Sequence, residues 1–465
     1  MRTKLSNLNA QGSVLIVSLV MGAILGTTLA SYLILVRNQE TSVVRSQVWN
    51  QAIAVAEAGL EEGMSHLNSE SGLNHIFAAN GWTLQPDGTY QMTRFLDTSY
   101  YTVVISIPST NPPVITSTGY VPVPVAAVTL NPDTTTYISR TVQVVTRPNP
   151  LMTVALAVKQ QIDFKGSNNA TDSFDSGDTN YCGPFGMYDK TKTKANGDVV
   201  TDYAIVNSIN VGSAKIKGTI RTGPGGTTSI GSGGSVGDSA WVNANTPGIQ
   251  SGHFYDDMNV IWPDITFTKT NYVTATPANT NITVLMPSGT SGTNWTTNTI
   301  TFQYYLPTGN YQINNLSKSV YIDGVVNLYV PPGGKLNWGG GDVLYLAQDS
   351  ISHPVSLNLF CGASTATFGG NGSVNRTGKS INATLYGLST CTAVIFSANA
   401  AFTGLMYAPE ALFTLGGGGS DTFDFVGAAV CFQLKFNGNF NFHYDEALRR
   451  LGPGRGYVVD TWKEI

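Results

Sequence analysis

SVLIVSLVMGAILGTTLASYLILVRNQETSVVRSQVWNQAIAVAEAGLEEGMSHLN, residues 13–68, decides the architecture. Residues 13–36 carry no charge, and the whole stretch lacks proline. Its first 24 residues, rising ~1.5 Å each, span roughly 36 Å as a helix, enough for a ~30 Å hydrocarbon core. The second half changes character without breaking. Val44, Val48, Ala52, Ala56, Leu60, Met64 and Leu67 recur every three or four residues and form one apolar stripe. Arg37, Glu40, Arg45, Gln47, Glu57, Glu61 and Glu62 occupy the other faces. The pattern reads as one continuous helix whose first half sits in lipid and whose second half packs on a folded domain.

Residues 1–12 form a short basic leader with Arg2 and Lys4, closed by Gly12 before the apolar run. With Ala56-Glu57-Ala58-Gly59-Leu60-Glu61 near the helix end, these residues resemble the PilX-type N-terminus of minor type IV pilins over about the first 70 residues. The resemblance implies cleavage by a prepilin peptidase between Gly12 and Ser13. It also implies pilin-like subunits as partners, and the inner membrane as the site held before assembly. One position departs from the pattern. Major pilins carry Glu at the fifth mature position, and Val17 stands there. That Glu pairs with the N-terminal ammonium of a neighbouring subunit in the low-dielectric filament core, where an unpaired charge is costly. A chain with Val17 cannot make the pair, which fits a minor or tip subunit better than the repeating fibre subunit. Two other readings compete. Arg2 and Lys4 suit a plain signal anchor under the positive-inside rule. A cleaved secretory signal is disfavoured by the length of the run and by the poor cleavage site at Thr28-Leu29-Ala30. All three place residues 40–465 outside the cytoplasm.

Working outward, the chain has 465 residues, enough for two or three domains. Charged residues are 12%, about half the usual ~25%. With 50 glycines and abundant Asn, Thr and Ser, this composition suits extended β architecture. A net charge of −4 gives no electrostatic case for nucleic acid.

After a loop at 69–88, four segments rich in Thr, Tyr, Val and Ile (89–95, 100–107, 114–125 and 137–145) alternate as half-buried antiparallel strands. They predict a small β meander over 69–148, packed on the striped half of the helix. Pro148-Asn149-Pro150 marks a boundary. From 149 to 448 short strands alternate with Gly and Asn turns, with an irregular excursion at 245–300 rich in Pro, Thr and Asn. Ile395-Phe396, Phe413-Thr414 and Leu434-Lys435 open comparable blocks at solenoid-like spacing. The fold class expected is therefore mainly β with one long N-terminal α-helix: a small antiparallel sheet, then a parallel β-helix. A sandwich or jelly roll is the alternative. Residues 449–465 are expected to cap the last coil. Segments including Gly404-Leu405-Met406-Tyr407-Ala408-Pro409, Phe425-Val426-Gly427-Ala428 and His443-Tyr444-Asp445-Glu446-Ala447-Leu448 resemble an uncharacterised β-helical domain found behind PilX-type N-termini. That resemblance implies pilus or surface association and no known chemistry.

The four cysteines, Cys182, Cys361, Cys391 and Cys431, form no CxxC or Cys/His cluster, so zinc and redox motifs are unsupported. Cys361 and Cys391 are the pair that neighbouring coils would bring together as a disulfide; buried thiols are the alternative. Asp172, Asp175 and Asp178 suit Ca²⁺ by residue type but lack the terminal Glu of an EF-hand, and a solvated turn is the simpler reading. His443, Tyr444, Asp445 and Glu446 resemble a catalytic group in composition, yet neighbours on one strand point to opposite faces, so a strand-to-helix cap is favoured. Asp256 and Asp257 read as a loop pair. No cofactor, metal or catalytic residue is assigned. Trp241, Trp262, Trp295 and Trp338 are candidate surface or glycan contacts, with core packing the alternative. The expected function is structural or adhesive, in an envelope protein anchored by its helix. The rival is a membrane-tethered β-helix enzyme acting on polysaccharide, which requires carboxylates converging in a cleft.

Overall fold

The computed structural model describes residues 8–70, 77–107, 112–123, 136–166, 169–260, 262–265, 267–288, 294–370, 372–397, 401–416, 423–451 and 454–465. The chain divides into two compact units, one made of 1–149 with 454–465 and the other of 150–453.

The first unit is built on helix α1, Leu8–Glu70, unbroken over 63 residues and therefore ~95 Å long. The predicted stripe is its buried edge: Ala52, Ala56 and Leu67 are fully buried, Val48 and Leu60 nearly so. It lies on an antiparallel sheet of β1 (Thr83–Leu84), β2 (Tyr90–Leu96), β3 (Ser99–Ser106), β4 (Val114–Pro122) and β5 (Tyr137–Pro150). Tyr101, Val103, Ile105, Ile115, Val142 and Val144 alternate inward and meet the helix, each apolar side chain contributing about 1.5–3 kcal/mol. Small residues set the spacing. A Cβ at Gly119 on β4 would lie 2.5 Å from the Ala56 amide nitrogen, and one at Gly63 would lie 2.8 Å from an Ile115 methyl. Gly59, within the pilin-like AEAGLE segment, sits against Tyr101 and Ser117 in the same way. The helix backbone can approach the sheet this closely only because those positions lack side chains.

One expectation is corrected here. Of the expected cap at 449–465, Arg449 and Arg450 do bond the solenoid, at Thr153 and Asp175, but 454–464 does not cap a coil. Gly454–Glu464 is the sixth strand of this sheet, next to β5. Arg140–Glu464 and Arg147–Asp460 ion pairs run in opposite directions along the two strands, as in a hairpin. There it covers the edge of β5 that would otherwise present unpaired backbone groups. The second unit is thus an insertion between two neighbouring strands of the first.

The second unit is a parallel solenoid with three faces. One face stacks Tyr304, Val320, Leu344 and Ser373. The next stacks Leu328, Leu359, Leu385 and Met406, and the third Leu336, Ala366, Val394 and Phe413. Inward side chains form one continuous core, with ring stacks such as Phe368 on Phe396 at 4.5 Å and Phe425 on Phe442 at 4.6 Å. Outside, Asn310, Asn327 and Asn358 bond one to the next at 2.9 and 3.0 Å, an amide ladder that follows the same stacking. Gly427 has φ 135°, and a Cβ there would collide with the Gly404 carbonyl on the adjacent coil.

The order of coils is not the order of sequence. The chain enters in the middle of the stack at 156–164, winds outward through 170–212 and 215–230, and reaches 254–255 at one end. It then runs back along one face as an extended strap. Met258 N–H bonds Thr222, Val260 N–H bonds Asp202, Tyr407 bonds the Pro263 carbonyl, Phe267 packs on Phe360 and Tyr329, and Ala275 N–H bonds Gln312. A hairpin, Thr280–Ser288 with Asn294–Phe302, covers Val343, Tyr345 and Val374. From 304 the coils wind back toward the middle and end at Phe440–Asp445. Of the excursion expected at 245–300, residues 248–249 and 254–255 still belong to the stack, and the described remainder is a strap plus a hairpin. It joins the two ends of the stack.

Candidate functional site

The segment expected to enter lipid carries its apolar side chains outward. Val14, Leu15, Ile16, Val17, Leu19, Ile24, Leu25, Leu29 and Leu33 are each more than half exposed. α1 is long and apolar enough to cross a membrane. Thr27 and Thr28 turn their hydroxyls back onto carbonyls three and four residues earlier, which removes the cost of hydroxyls in an apolar setting. Gly12 and Ser13 lie within the helix backbone; most of the basic leader, residues 1–7 with Arg2 and Lys4, lies outside the described residues.

Where the helix meets the sheet, Glu62 accepts from Arg94 Nε at 2.8 and 3.1 Å, from Arg94 Nη2 and from the Tyr101 hydroxyl. Burial alone would raise the Glu62 pKa, but the bonds from Arg94 and Tyr101 outweigh it and hold it below the usual carboxylate range. Tyr101 is pushed up to about 12, first by burial and then by its bond to Glu62. Residue type did not reveal this anchor, because Glu62 lies off the apolar stripe.

The two charged constellations expected to be separate are brought together. Phe440–Asp445 pairs with Ala170–Phe174, setting His443 opposite Asp172 and Tyr444 opposite Ser173. His443 Nδ1 is 2.6 Å from Asp172 Oδ1, and the Tyr188 ring stacks on the imidazole at 3.7 Å while its hydroxyl reaches Asp172 Oδ2 at 3.0 Å. Arg450 holds Asp175 at 2.7 and 3.0 Å. Glu446 accepts from Ser173 at 2.8 Å and Asn196 at 2.7 Å, and pairs with Lys194. Asp445 accepts the backbone N–H of Ser176 and of Ala447 at 3.0 and 3.1 Å. Burial raises the Asp445 pKa, with those amides offsetting it in part. Burial would also raise Asp175, but Arg450 and the Gly177 amide overcome it and lower that carboxyl.

These carboxylates converge, yet their oxygens are taken up by cations, amides and hydroxyls of the facing coil. What the arrangement does chemically is clamp the last strand of the solenoid to its first full coil. Asp172, Asp175 and Asp178 do not share a ligand position, since Asp178 closes a turn onto Asn180 at 2.9 Å; among the described residues no group of three such side chains could hold a metal. Asp257 pairs with Arg221, which also lies over the Tyr255 ring, and Asp256 is exposed. Of the four tryptophans considered as surface contacts, Trp262 and Trp338 are core residues at 4% and 1% exposure, and Arg376 covers Trp295. Trp241 is half-buried on a short helix. All four cysteines are buried and free, and Cys391 Cβ lies 3.6 Å from where a Cβ on Gly387, the ladder partner of Cys361, would stand.

Residues 306–451 match a family described as a domain of unknown function, DUF7305. The match covers most of the returning coils and the clamp strand, and less than half of the chain. Among solved structures, the crystal structure of the competence-associated pilin ComZ from Thermus thermophilus aligns at 10% identity, covering 90% of this chain and 97% of that one with a TM-score of 0.23. A TM-score that low carries no argument about this chain. No curated protein matches.

Proposed function

We propose that this protein is an envelope-anchored, pilin-like structural subunit: a minor or tip component of a type IV pilus or related secretion filament, held in the inner membrane by α1 before assembly, its solenoid outside the cytoplasm. The observation that carries the reading is α1 itself. One unbroken helix presents an apolar surface over 14–35 and then buries a stripe of small residues, Ala52, Ala56, Gly59 and Gly63, on an antiparallel sheet. A plain anchor needs only the first half. The second half makes the anchor and the folded unit one rigid body, which a filament subunit requires. Val17 in place of an acidic residue supports the minor or tip position. The adhesive part of the reading rests on the outward amide ladder of Asn310, Asn327 and Asn358, a regular row of donors and acceptors suited to a polar surface or glycan.

The test is the N-terminus of the mature protein, read by mass spectrometry on membrane and surface-shed fractions. The expected result is a chain beginning at Ser13 with a methylated amine. An intact Met1 in both fractions would overturn the filament reading and leave a static anchor.

A further inference from the structure

We propose that Cys361 and Cys391 form a disulfide that staples two successive coils of the solenoid, leaving Cys182 and Cys431 as thiols. The inference rests on the extracytoplasmic placement above, because the bond persists only in an oxidising compartment.

The geometry comes from a missing side chain. Cys361 ends the strand Ser356–Cys361 and points into the core, and its ladder partner on the next coil is Gly387. A Cβ at Gly387 would lie 2.6 Å from Ala408 Cβ and 3.6 Å from Cys391 Cβ. The slot beside Cys361 is therefore vacant of its own residue and is filled from the side by Cys391, four positions later. Cys391 N–H bonds the Leu388 carbonyl and Leu388 N–H bonds the Cys361 carbonyl, so the turn that delivers Cys391 is tied to Cys361 by backbone. The two thiols face the same way in the repeat: Cys361 is 3.8 Å from the Ala363 carbonyl and Cys391 3.7 Å from the Ala393 carbonyl. Contact with Cys391 and burial together raise the Cys361 pKa, in keeping with two sulfurs side by side in a dry core.

Pairing Cys361 with Cys431 fails on distance. Cys431 shares the inward column with Cys361, but Gly387 and Ala408 lie between them. Three rungs at ~4.8 Å each exceed the ~7 Å reach of a disulfide between Cα atoms. Cys182 packs elsewhere, with Phe174, Val426 and Tyr188.

The chemistry needs an oxidant, here a thiol–disulfide exchange partner. The Cys391 thiolate attacks the partner's disulfide and releases one partner thiol. The Cys361 thiolate then displaces the second partner thiol from the mixed disulfide. Two protons and two electrons leave this chain, and the partner's disulfide becomes two thiols. Both sulfurs are buried in the folded coil, so the exchange belongs to the stage before the turn at the exposed Ser389 and Thr390 closes.

The full chain is solubilised from membranes with an alkylating agent present from lysis, digested without reduction and mapped by mass spectrometry. The expected result is one linked peptide pair joining Cys361 to Cys391, two hydrogen masses lighter than the reduced pair, with Cys182 and Cys431 alkylated only after denaturation. Cys431→Ala should keep the linked pair, and Cys391→Ala should leave Cys361 alkylated. A different linkage, such as Cys391 to Cys431, overturns the proposal. If all four are alkylated, the purified chain is refolded with glutathione disulfide. Failure to link there refutes the geometry, whereas linking there refutes the extracytoplasmic placement instead; either result removes the bond as a native feature.

Discussion

Glu62 ties the helix to the sheet through one carboxylate and three donors, and the titration of this cluster has a definite sign. Tyr101 is raised to about 12 in the fold by burial and by Glu62, above an ordinary Tyr of about 10. Its neutral form is what the fold prefers, so its contribution is complete below that ordinary value and disappears as pH rises through the folded one. Glu62 has the opposite sense: its pKa is lowered, so its contribution is present above the ordinary carboxylate value and disappears as pH falls through the lowered one. Tyr101→Phe keeps the ring between Gly59 and the sheet and removes only the hydroxyl. The expected cost near neutral pH is about 1 kcal/mol. The gap between variant and wild type should close as alkali ionises the wild-type phenol. Denaturant unfolding in detergent, followed by helical circular dichroism at pH values from neutral to strongly alkaline, checks this. A gap that stays constant with pH would show that the hydroxyl does not contribute through Glu62.

At the scale of elements, the clamp strand Phe440–Asp445 combines a costly charge with useful ones. Asp445 has a folded pKa raised chiefly by burial, so its ionisation works against the fold as pH rises through that value. Asp175, lowered by Arg450, works the other way and loses its contribution in acid. Asp445→Asn keeps an oxygen for the Ser176 and Ala447 amides and removes the charge. It should leave the protein at least as stable at neutral pH, and steepen its loss of stability in acid, since only the Asp175 slope remains. Glu446→Ala strips Lys194, Ser173 and Asn196 of their common acceptor and should cost about 3 kcal/mol. Urea unfolding at neutral and mildly acidic pH distinguishes the two variants, and a destabilised Asp445→Asn would mean the buried carboxylate is an asset. The sequence showed much of this element and little of its role. Inward Phe402, Phe425 and Phe442 announce strands by alternation. Of the block openings, Phe413 faces Leu434 as their spacing implies, whereas Ile395 faces Thr414, one residue on from Phe413. The meeting of His443 with Asp172 had no local signal at all, being set by the path of the strap between them.

For the whole molecule, the coil order explains the strap. Strand 440–445 from the end of the inserted segment and strands 156–158 and 162–164 from its beginning complete one coil between them. The inserted segment therefore begins and ends at the same level of the stack. The pairing of 454–464 beside β5 is one that a reading of the chain from one end to the other could not anticipate. The long helix, the meander and the stacked coils were legible because each has its own period, whereas the insertion is a matter of topology and leaves no period. The consequence is a prediction about autonomy. If β5 and the C-terminal strand already form a hairpin held by Arg140–Glu464, Arg147–Asp460 and the bond from the Ile465 amide to the Thr141 carbonyl, then a short turn can replace everything between them. A chain in which residues 150–453 are exchanged for an Asn-Gly turn, the two-residue connection that matches strand twist, should fold as a helix on a six-stranded sheet. The excised 150–453 should in turn fold alone, because its first and last strands complete a coil without help from the sheet. Each piece should unfold in one cooperative transition by circular dichroism, and the shortened chain should still reach the membrane fraction. Aggregation of the shortened chain with loss of helical signal would show that the hairpin does not stand alone. A non-cooperative melt of 150–453 would show that the composite coil needs the sheet to hold its two ends in register.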